Sequence, residues 1–441
     1  MNTVCAVRKI GAGAVVLLLA GGSVGLTASG AAAAAVPTII DLGALSGDIG
    51  SSASAVSGTI VVGHSSQKTN LASGAGDAFA YDLGAASPTM IDLGNLGGPS
   101  SGATAVSGNI IAGSADTPQG FPLDHAFAYN LGAASPTMID LGALGGRSFA
   151  TAVSGDIVVG SIGSNPIPFA YDLGEASPVM TDLGSLGGTY GVAEAVSGSI
   201  VVGWSDTASG TTHAFAYDLG AASPVMTDLG TLGGSTSWAT AVSGNIVVGY
   251  SNTASGTTHA FAYKLGTASP AMIDLGTLGG ASSQATAISG NIVAGYSDTA
   301  SGTTHAFAYD LGAASPAMID LGTIGGGTSR ATAVSGNVVV GYVATTSGTT
   351  RAFAYDLGAA SPAIVDLGTL GGPSSYAAAV SGNIVVGYAA TTSGPIYATA
   401  WLLSTGGTPL PVGTVGMIGV AALTGCALFI TQRRQRNRHS A

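Results

Sequence analysis

The sequence predicts an all-β fold, a β-propeller of eight four-stranded blades, and three observations lead to this prediction. The tetrapeptide x-Asp-Leu-Gly occurs eight times, with its Asp at positions 41, 92, 140, 182, 228, 274, 320 and 366. The last four spacings are all 46 residues, and each unit holds four short apolar segments. The first and last units are incomplete in complementary ways. One four-stranded blade per repeat of this length is typical of propellers.

The fifth unit illustrates the predicted strands. Its four segments comprise residues 239–243, 246–250, 259–263 and 272–276, which are rich in β-branched or aromatic residues and bounded by Gly, Ser, Pro or Asn. No segment has the periodicity or the length of a helix. The first two segments are joined by Ser-Gly-Asn, the composition of a tight hairpin turn that needs a positive φ. Each unit is therefore expected to form four strands joined by short turns.

The phase of the repeat favours a closed ring over residues 37–403. The chain enters with only the fourth strand type, at residues 38–43, and leaves after the third, at residues 398–402. Together these two pieces complete an eighth blade, and their pairing would close a ring. An open β-solenoid has no need for terminal strands that complete each other. Seven blades with one irregular unit is the alternative, because the second, third and fourth units differ in length.

The N-terminus has the three-part order of a secretory signal peptide, assigned to residues 1–35. Arg8 and Lys9 precede an apolar run from Ile10 to Ala20, and small residues follow as far as Ala35. An uncleaved membrane anchor is the alternative, although the apolar run is short for a span. The body of the chain is accordingly expected outside the cytoplasm.

The C-terminus predicts an anchor. A spacer at residues 404–411 precedes an uncharged stretch at 412–431, long enough for one transmembrane helix, and a basic cytoplasmic tail at 432–441. Leu-Pro-Val-Gly-Thr at 410–414 resembles a cell-wall sorting signal, but its Thr and Gly are in the reverse order. We therefore expect a secreted protein at the cell surface, anchored in the membrane or in the cell wall by its C-terminus.

Charge is scarce and unevenly distributed. Only 7% of the 441 residues are charged, and six of the 11 Lys and Arg residues lie near the two ends. The body keeps five cations against all 22 acidic residues, a net charge of −17. Nucleic acid is excluded as a partner, because its binding needs a basic face. The two cysteines, Cys5 and Cys426, lie in the end segments, so the body has no disulfide.

The repeated motifs resemble those of a family of extracellular proteins. Ala-Phe-Ala-Tyr, preceded by His in four units, is combined with Leu-Gly-x-Leu-Gly-Gly and with Ala-Val-Ser-Gly-Asn-Ile-Val-Val-Gly. These motifs look like the HAF-repeat family, and the resemblance spans nearly the whole mature body. It implies export and a repeated β architecture, and it supplies no catalytic residues to carry over.

The residues that could take part in catalysis or bind a metal do not form a recognisable active-site pattern in the sequence. The recurring Asp always has the same neighbours, which predicts a structural hydrogen bond to a nearby turn. The recurring His residues, His125, His213, His259 and His305, are expected to lie about 14 Å apart and to pack on a loop, too far apart to share a metal ion. No nucleophile elbow, phosphate loop or metal-binding motif occurs. We therefore predict no catalytic residue, no cofactor and no metal site.

One face of the predicted propeller varies between units and is rich in aromatic residues. It carries the residues just before the first strand and just after the second strand of each unit, which should surround the mouth of the central channel. The candidate binding residues are Phe149, Trp238, Gln284, Arg330 and Tyr376 before the first strand, and Trp204, Tyr250, Tyr296, Tyr342 and Tyr388 after the second. Unconstrained loop tips are the alternative interpretation, because loops also vary without function.

These features predict a surface-displayed, non-catalytic interaction or adhesion module for a carbohydrate or protein partner. A structural component of the cell envelope without a specific ligand is the first alternative. A secreted carbohydrate-active enzyme is the second, because a carboxylate pair could occur among the many aspartates.

Overall fold

A computed structural model describes residues 37–66, 76–118, 124–268 and 270–404. These residues form an all-β propeller of eight four-stranded blades, as predicted. The predicted signal peptide, the transmembrane segment at 412–431 and the tail at 432–441 lie outside the described residues. Within the described ranges, no helix is long and apolar enough to cross a membrane.

The 32 strands fall into four classes by their position in the blade. The first strands are β2 (Gly50–Ser57), β6 (Ser101–Ser107), β10 (Ser148–Ser154), β14 (Gly187–Ser197), β18 (Gly233–Ser243), β22 (Gly279–Ser289), β26 (Thr328–Ser335) and β30 (Gly371–Ser381). The second strands are β3 (Ile60–Ser66), β7 (Ile110–Asp116), β11 (Ile157–Ile162), β15 (Ile200–Thr207), β19 (Ile246–Thr253), β23 (Ile292–Thr299), β27 (Val338–Ala344) and β31 (Ile384–Thr391).

The outer half of each blade is built from the other two classes. The third strands are β4 (Gly76–Asp82), β8 (Asp124–Asn130), β12 (Ile167–Asp172), β16 (Thr212–Asp218), β20 (Thr258–Lys264), β24 (Thr304–Asp310), β28 (Thr350–Asp356) and β32 (Ile396–Leu402). The fourth strands are β5 (Met90–Asp92), β9 (Met138–Asp140), β13 (Thr181–Asp182), β17 (Met226–Asp228), β21 (Met272–Asp274), β25 (Met318–Gly322), β29 (Ile364–Asp366) and β1 (Thr38–Gly43).

The N-terminal strand closes the ring. Blades 1 to 7 each use four consecutive strands, whereas blade 8 has the order β1-β32-β31-β30, with Thr38 opposite Leu402. The first strands of neighbouring blades contact one another around the whole circle, including β2 with β30, so they form the innermost ring. Seven blades and an open solenoid are therefore both wrong for this chain.

The hydrophobic core is divided among the contacts between neighbouring blades. Between blades 4 and 5, for example, Val202 and Ala214 pack against Val242, Val247 and Phe261. Seven of the eight third strands place a fully buried Phe at the same position. In the third strand of blade 8, Thr399 takes the position of the Phe, and Trp401 fills the core instead of the usual Tyr. The apolar residues of the repeat thus pack neighbouring blades against each other.

Buried serines connect neighbouring blades by hydrogen bonds. Ser237, at the start of β18, accepts a hydrogen bond from the Ala214 N–H (2.8 Å) and donates one to the Gly230 oxygen (2.6 Å), both in blade 4. Seven of the eight blade contacts have a serine that accepts the same N–H bond. Between blades 3 and 4, the donor position is Pro168, which has no N–H, and Gly191 replaces the serine. The loss of donor and acceptor together avoids an unpaired N–H at this contact.

Replacement of Ser237 by alanine is expected to lower the free energy of unfolding by about 2 kcal/mol, because it leaves a buried N–H and a buried carbonyl unpaired. Ser235→Ala, an exposed position on the same strand, is the matched control. Urea denaturation followed by circular dichroism measures both. Equal stability of the two variants would show that this serine does not hold the blades together.

Candidate functional site

The two sets of variable residues lie in strands and pair with each other. Trp238 is directly opposite Tyr250, Gln284 opposite Tyr296, and the other candidates follow the same register. The first and second strands are thus longer than the sequence predicted, and the loop-tip interpretation is wrong. All ten candidates are half-buried. They lie in the halves of the first and second strands that are remote from the Ser-Gly-Asn turns, on the side of the ring where we expect the mouth of the channel.

Five consecutive blades bring aromatic side chains together at this mouth. We name the set the aromatic arc, and it consists of Trp204, Trp238, Tyr250, Tyr296, Tyr342, Tyr376 and Tyr388. The rings of Trp238 and Tyr250 stack with centroids 5.0 Å apart. Tyr376 stacks on Tyr342 of the preceding blade at 4.9 Å and on Tyr388 of its own blade at 5.3 Å. The ring contacts therefore cross from blade 7 to blade 8.

Polar groups are interleaved with the rings. The Tyr296 hydroxyl donates a hydrogen bond to Oε1 of Gln284 at 2.5 Å. The guanidinium of Arg330 lies over the Tyr296 ring, 4.2 Å from its centroid. Burial raises the pKa of Tyr296, Tyr250 and Tyr388, so their hydroxyls stay neutral at physiological pH. The arc thus offers flat apolar surfaces next to hydrogen-bonding groups.

Glu194 adds a carboxyl group that the sequence did not mark as functional. It occupies a bulge in β14, where five other blades place a Thr whose hydroxyl bonds a carbonyl of the next blade. Its Oε1 accepts a hydrogen bond from Nε1 of Trp204 at 3.0 Å. Burial raises its pKa to about 7, although this hydrogen bond favours the charged form. The departure from Thr inside a repeated position was the signal available in the sequence.

The remaining three blades give the mouth a different lining. Positions equivalent to the arc carry Ser52, Gly102, Ser114 and Ser161, with His64 and Phe149 as the larger side chains. Phe149 lies beneath the guanidinium of Arg147, 5.0 Å from its centroid, rather than against the arc. Burial lowers the pKa of His64, which keeps its imidazole neutral. The lining of the mouth is therefore asymmetric, with the aromatic arc on one side and mostly small side chains on the other.

In the four blades that carry the recurring His, it pairs with the recurring Asp of the same blade, on the outer part of the same face. Nδ1 of His259 lies 2.9 Å from Asp274, and blades 2, 4 and 6 repeat this pair. Asp274 also accepts a hydrogen bond from the N–H of Gly276, two residues later, so the predicted structural hydrogen bond is confirmed. The His residues lie near the starts of their strands, and the sequence did not predict their pairing with the Asp. In the part of the chain that the structure describes, no three His, Cys, Asp or Glu side chains could hold a metal ion.

A hydroxyl group approaches two of these histidines. Oγ1 of Thr257 lies 3.4 Å from Nε2 of His259, an order of groups that resembles a hydroxyl–imidazole–carboxylate triad. The same Thr oxygen also lies 2.8 Å from Oγ1 of Thr253 in a cluster that closes the turn. Blade 7 keeps this hydroxyl cluster although Arg351 replaces the His. The cluster thus forms without the imidazole, and its role is structural.

Comparisons with known proteins bear on the fold alone. No protein-family model and no curated protein matches the sequence. Among solved structures, the propeller domain of the Trilobed protease from Pyrococcus furiosus is 14% identical, with 74% of this chain and 100% of that chain covered and a TM-score of 0.47. A puromycin-hydrolyzing peptidase from Mycobacterium tuberculosis is 17% identical, with 70% and 53% covered and a TM-score of 0.42.

An acylaminoacyl peptidase from Pyrococcus horikoshii is 11% identical, with 71% of this chain and 52% of that chain covered and a TM-score of 0.42. The chain spans about half the length of these two peptidases. The expected surface-displayed adhesion module is not what the comparisons found, because these three structures are peptidases or the propeller domain of a protease. At such identities the likeness shows a propeller and no activity.

Proposed function

We propose that this propeller is a peptide-binding domain with a protease-related role, and that the aromatic arc holds the peptide. The observation that supports the proposal is the arc itself, aromatic side chains at one repeated position in five consecutive blades, with contacts between blades from Tyr296 through Arg330 and from Tyr342 to Tyr376. Rings and hydrogen-bonding groups alternate along it. A peptide likewise alternates apolar side chains with amide groups.

The chemistry of the mouth favours peptides that carry few charges. Stacked Tyr and Trp rings offer rigid surfaces to apolar side chains and to planar amide groups. The neutral Tyr hydroxyls and Gln284 can exchange hydrogen bonds with a peptide backbone. Since the body carries a net charge of −17, strongly acidic ligands are repelled at long range.

Within this proposal, the propeller supplies binding and the cleavage of a peptide bond belongs to a separate catalytic domain or partner. The channel mouth concentrates and orients the peptide, as concave sites with a few polar groups do. The assignment of the chain to the HAF-repeat family, its export and its C-terminal anchor remain proposals from the sequence. Mass spectrometry of the two termini of the native protein tests the export and the anchor.

Replacement of Trp238 by alanine is expected to weaken peptide binding about tenfold or more, because it removes one ring of a stacked pair at the centre of the site. Isothermal titration with a panel of uncharged ten-residue peptides measures the affinity, and Val225→Ala, on the opposite face and 68% exposed, is the control. If no peptide of the panel binds the wild-type propeller, the proposed function is wrong.

A further inference from the structure

Arg330 differs from the other cations that the structure describes. Arg147 pairs with Asp124 at 3.2 Å, and Arg351 pairs with Asp366 at 2.8 Å. Lys264 is exposed at the end of a third strand. Arg330 is half-buried at the channel mouth, and none of the described acidic side chains forms an ion pair with it.

The position of Arg330 is also specific within the repeat. The equivalent residues of the other blades are uncharged, and the guanidinium of Arg147, which lies over Phe149 on the other side of the mouth, is paired with Asp124. Arg330 lies over Tyr296 of blade 6 and directly opposite Tyr342 of blade 7. The stack on Tyr296 fixes the plane of the guanidinium without using its N–H donors. Five donors in a planar fork match the two oxygens of a carboxylate.

We propose that Arg330 binds the free C-terminal carboxylate of the peptide. This inference rests on the proposed function, since it names the end of the peptide that the arc recognises. A carboxylate on Arg330 places the last side chain of the peptide near Tyr342 and the Tyr376 ring stacked on it. The arc therefore selects peptides that end in an apolar or aromatic residue.

Electrostatic interactions favour a carboxylate at Arg330. An acidic protein repels anions at long range, so a carboxylate binds only where a local cation compensates. A half-buried guanidinium provides this compensation more strongly than an exposed one, because less water screens the pair. Glu194 is bonded to Trp204 in blade 4, three blades away along the arc, and is not an ion-pair partner of Arg330.

The test compares two forms of one ten-residue peptide, which ends in phenylalanine as a free acid or as an amide. Wild-type protein is expected to bind the acid at least about tenfold more tightly, the usual strength of a charge-assisted pair. Arg330→Gln is expected to bind both forms equally. Arg351→Gln, which removes a paired arginine on the outer part of the face, is expected to keep the preference of the wild type.

The outcomes separate this inference from the proposed function. Equal binding of acid and amide by the wild-type protein overturns the role of Arg330 and leaves peptide binding intact. Failure of both forms to bind the wild-type protein overturns peptide binding itself. An undiminished preference in Arg330→Gln shows that another group holds the carboxylate. Because the first comparison uses unmodified protein, it is decisive even if Arg330→Gln does not fold.

Discussion

Replacement of Gly113 by alanine is expected to lower the free energy of unfolding by at least about 3 kcal/mol, because the new methyl group has no space. A Cβ at this position would overlap the backbone oxygen of Gly102 and lie 2.7 Å from Cε1 of Phe127. The first strand carries a bulge between Ala103 and Ala105, which brings its backbone against this glycine. All eight second strands place a glycine at the corresponding position.

Gly102→Ala is the matched control, since it makes the same change on the partner strand. Its Cβ would have only Cβ of His64 in reach, at 3.9 Å, and the substitution lowers the entropy of the unfolded chain. We expect this variant to keep the stability of the wild type within about 1 kcal/mol. Thermal and urea unfolding compare the two variants. Equal losses would show that the close approach of the two strands does not explain the repeated glycine.

Replacement of Glu194 by glutamine is expected to stabilise the protein at pH 8 and to leave it unchanged at pH 4. The pKa of Glu194 is raised from 4.5 to about 7 in the folded state by burial. The folded protein therefore binds the proton more tightly than the unfolded chain, and the wild type loses stability as the pH rises from about 4.5 to about 7. The loss amounts to about 3 kcal/mol.

Glutamine keeps the acceptor for Nε1 of Trp204 but carries no charge, so this loss should disappear. The difference in unfolding free energy between variant and wild type, measured by urea denaturation from pH 4 to pH 8, should grow across that interval and then level off. Glu175→Gln, at an exposed position on the opposite face, is the control. A constant difference across the pH range would mean that Glu194 ionises in the folded protein as it does in water.

Much of the fold follows from the repeat. Eight copies of one pattern, with a fourth-type strand at residues 38–43 and third-type residues at 398–402, are sufficient to predict eight blades and their closure. The strand ends were less predictable. The sequence placed Trp238 before its strand because this position varies between units, but the backbone ladder continues through it, opposite Tyr250, and only the side chain varies.

The candidate site was predictable in its membership but not in its connections. All ten candidate residues lie at the mouth, because their register is set by the backbone of the repeat. The pairing of rings between Tyr342 and Tyr376 depends on the packing of two blades, which one sequence does not reveal. Glu194 was overlooked because a single carboxyl looks isolated in sequence, and only its burial in the fold gives it an unusual pKa.

The most direct test of the account is to locate a bound peptide by photo-crosslinking. A peptide that ends in benzoylphenylalanine with a free carboxylate is irradiated with the protein, and the attached residues are identified by mass spectrometry. We predict adducts within the aromatic arc, above all at Tyr342 and Tyr376, and their loss when excess unlabelled peptide competes. Adducts concentrated on the face of the Ser-Gly-Asn turns, or adducts that resist competition, would contradict a peptide site at the channel mouth.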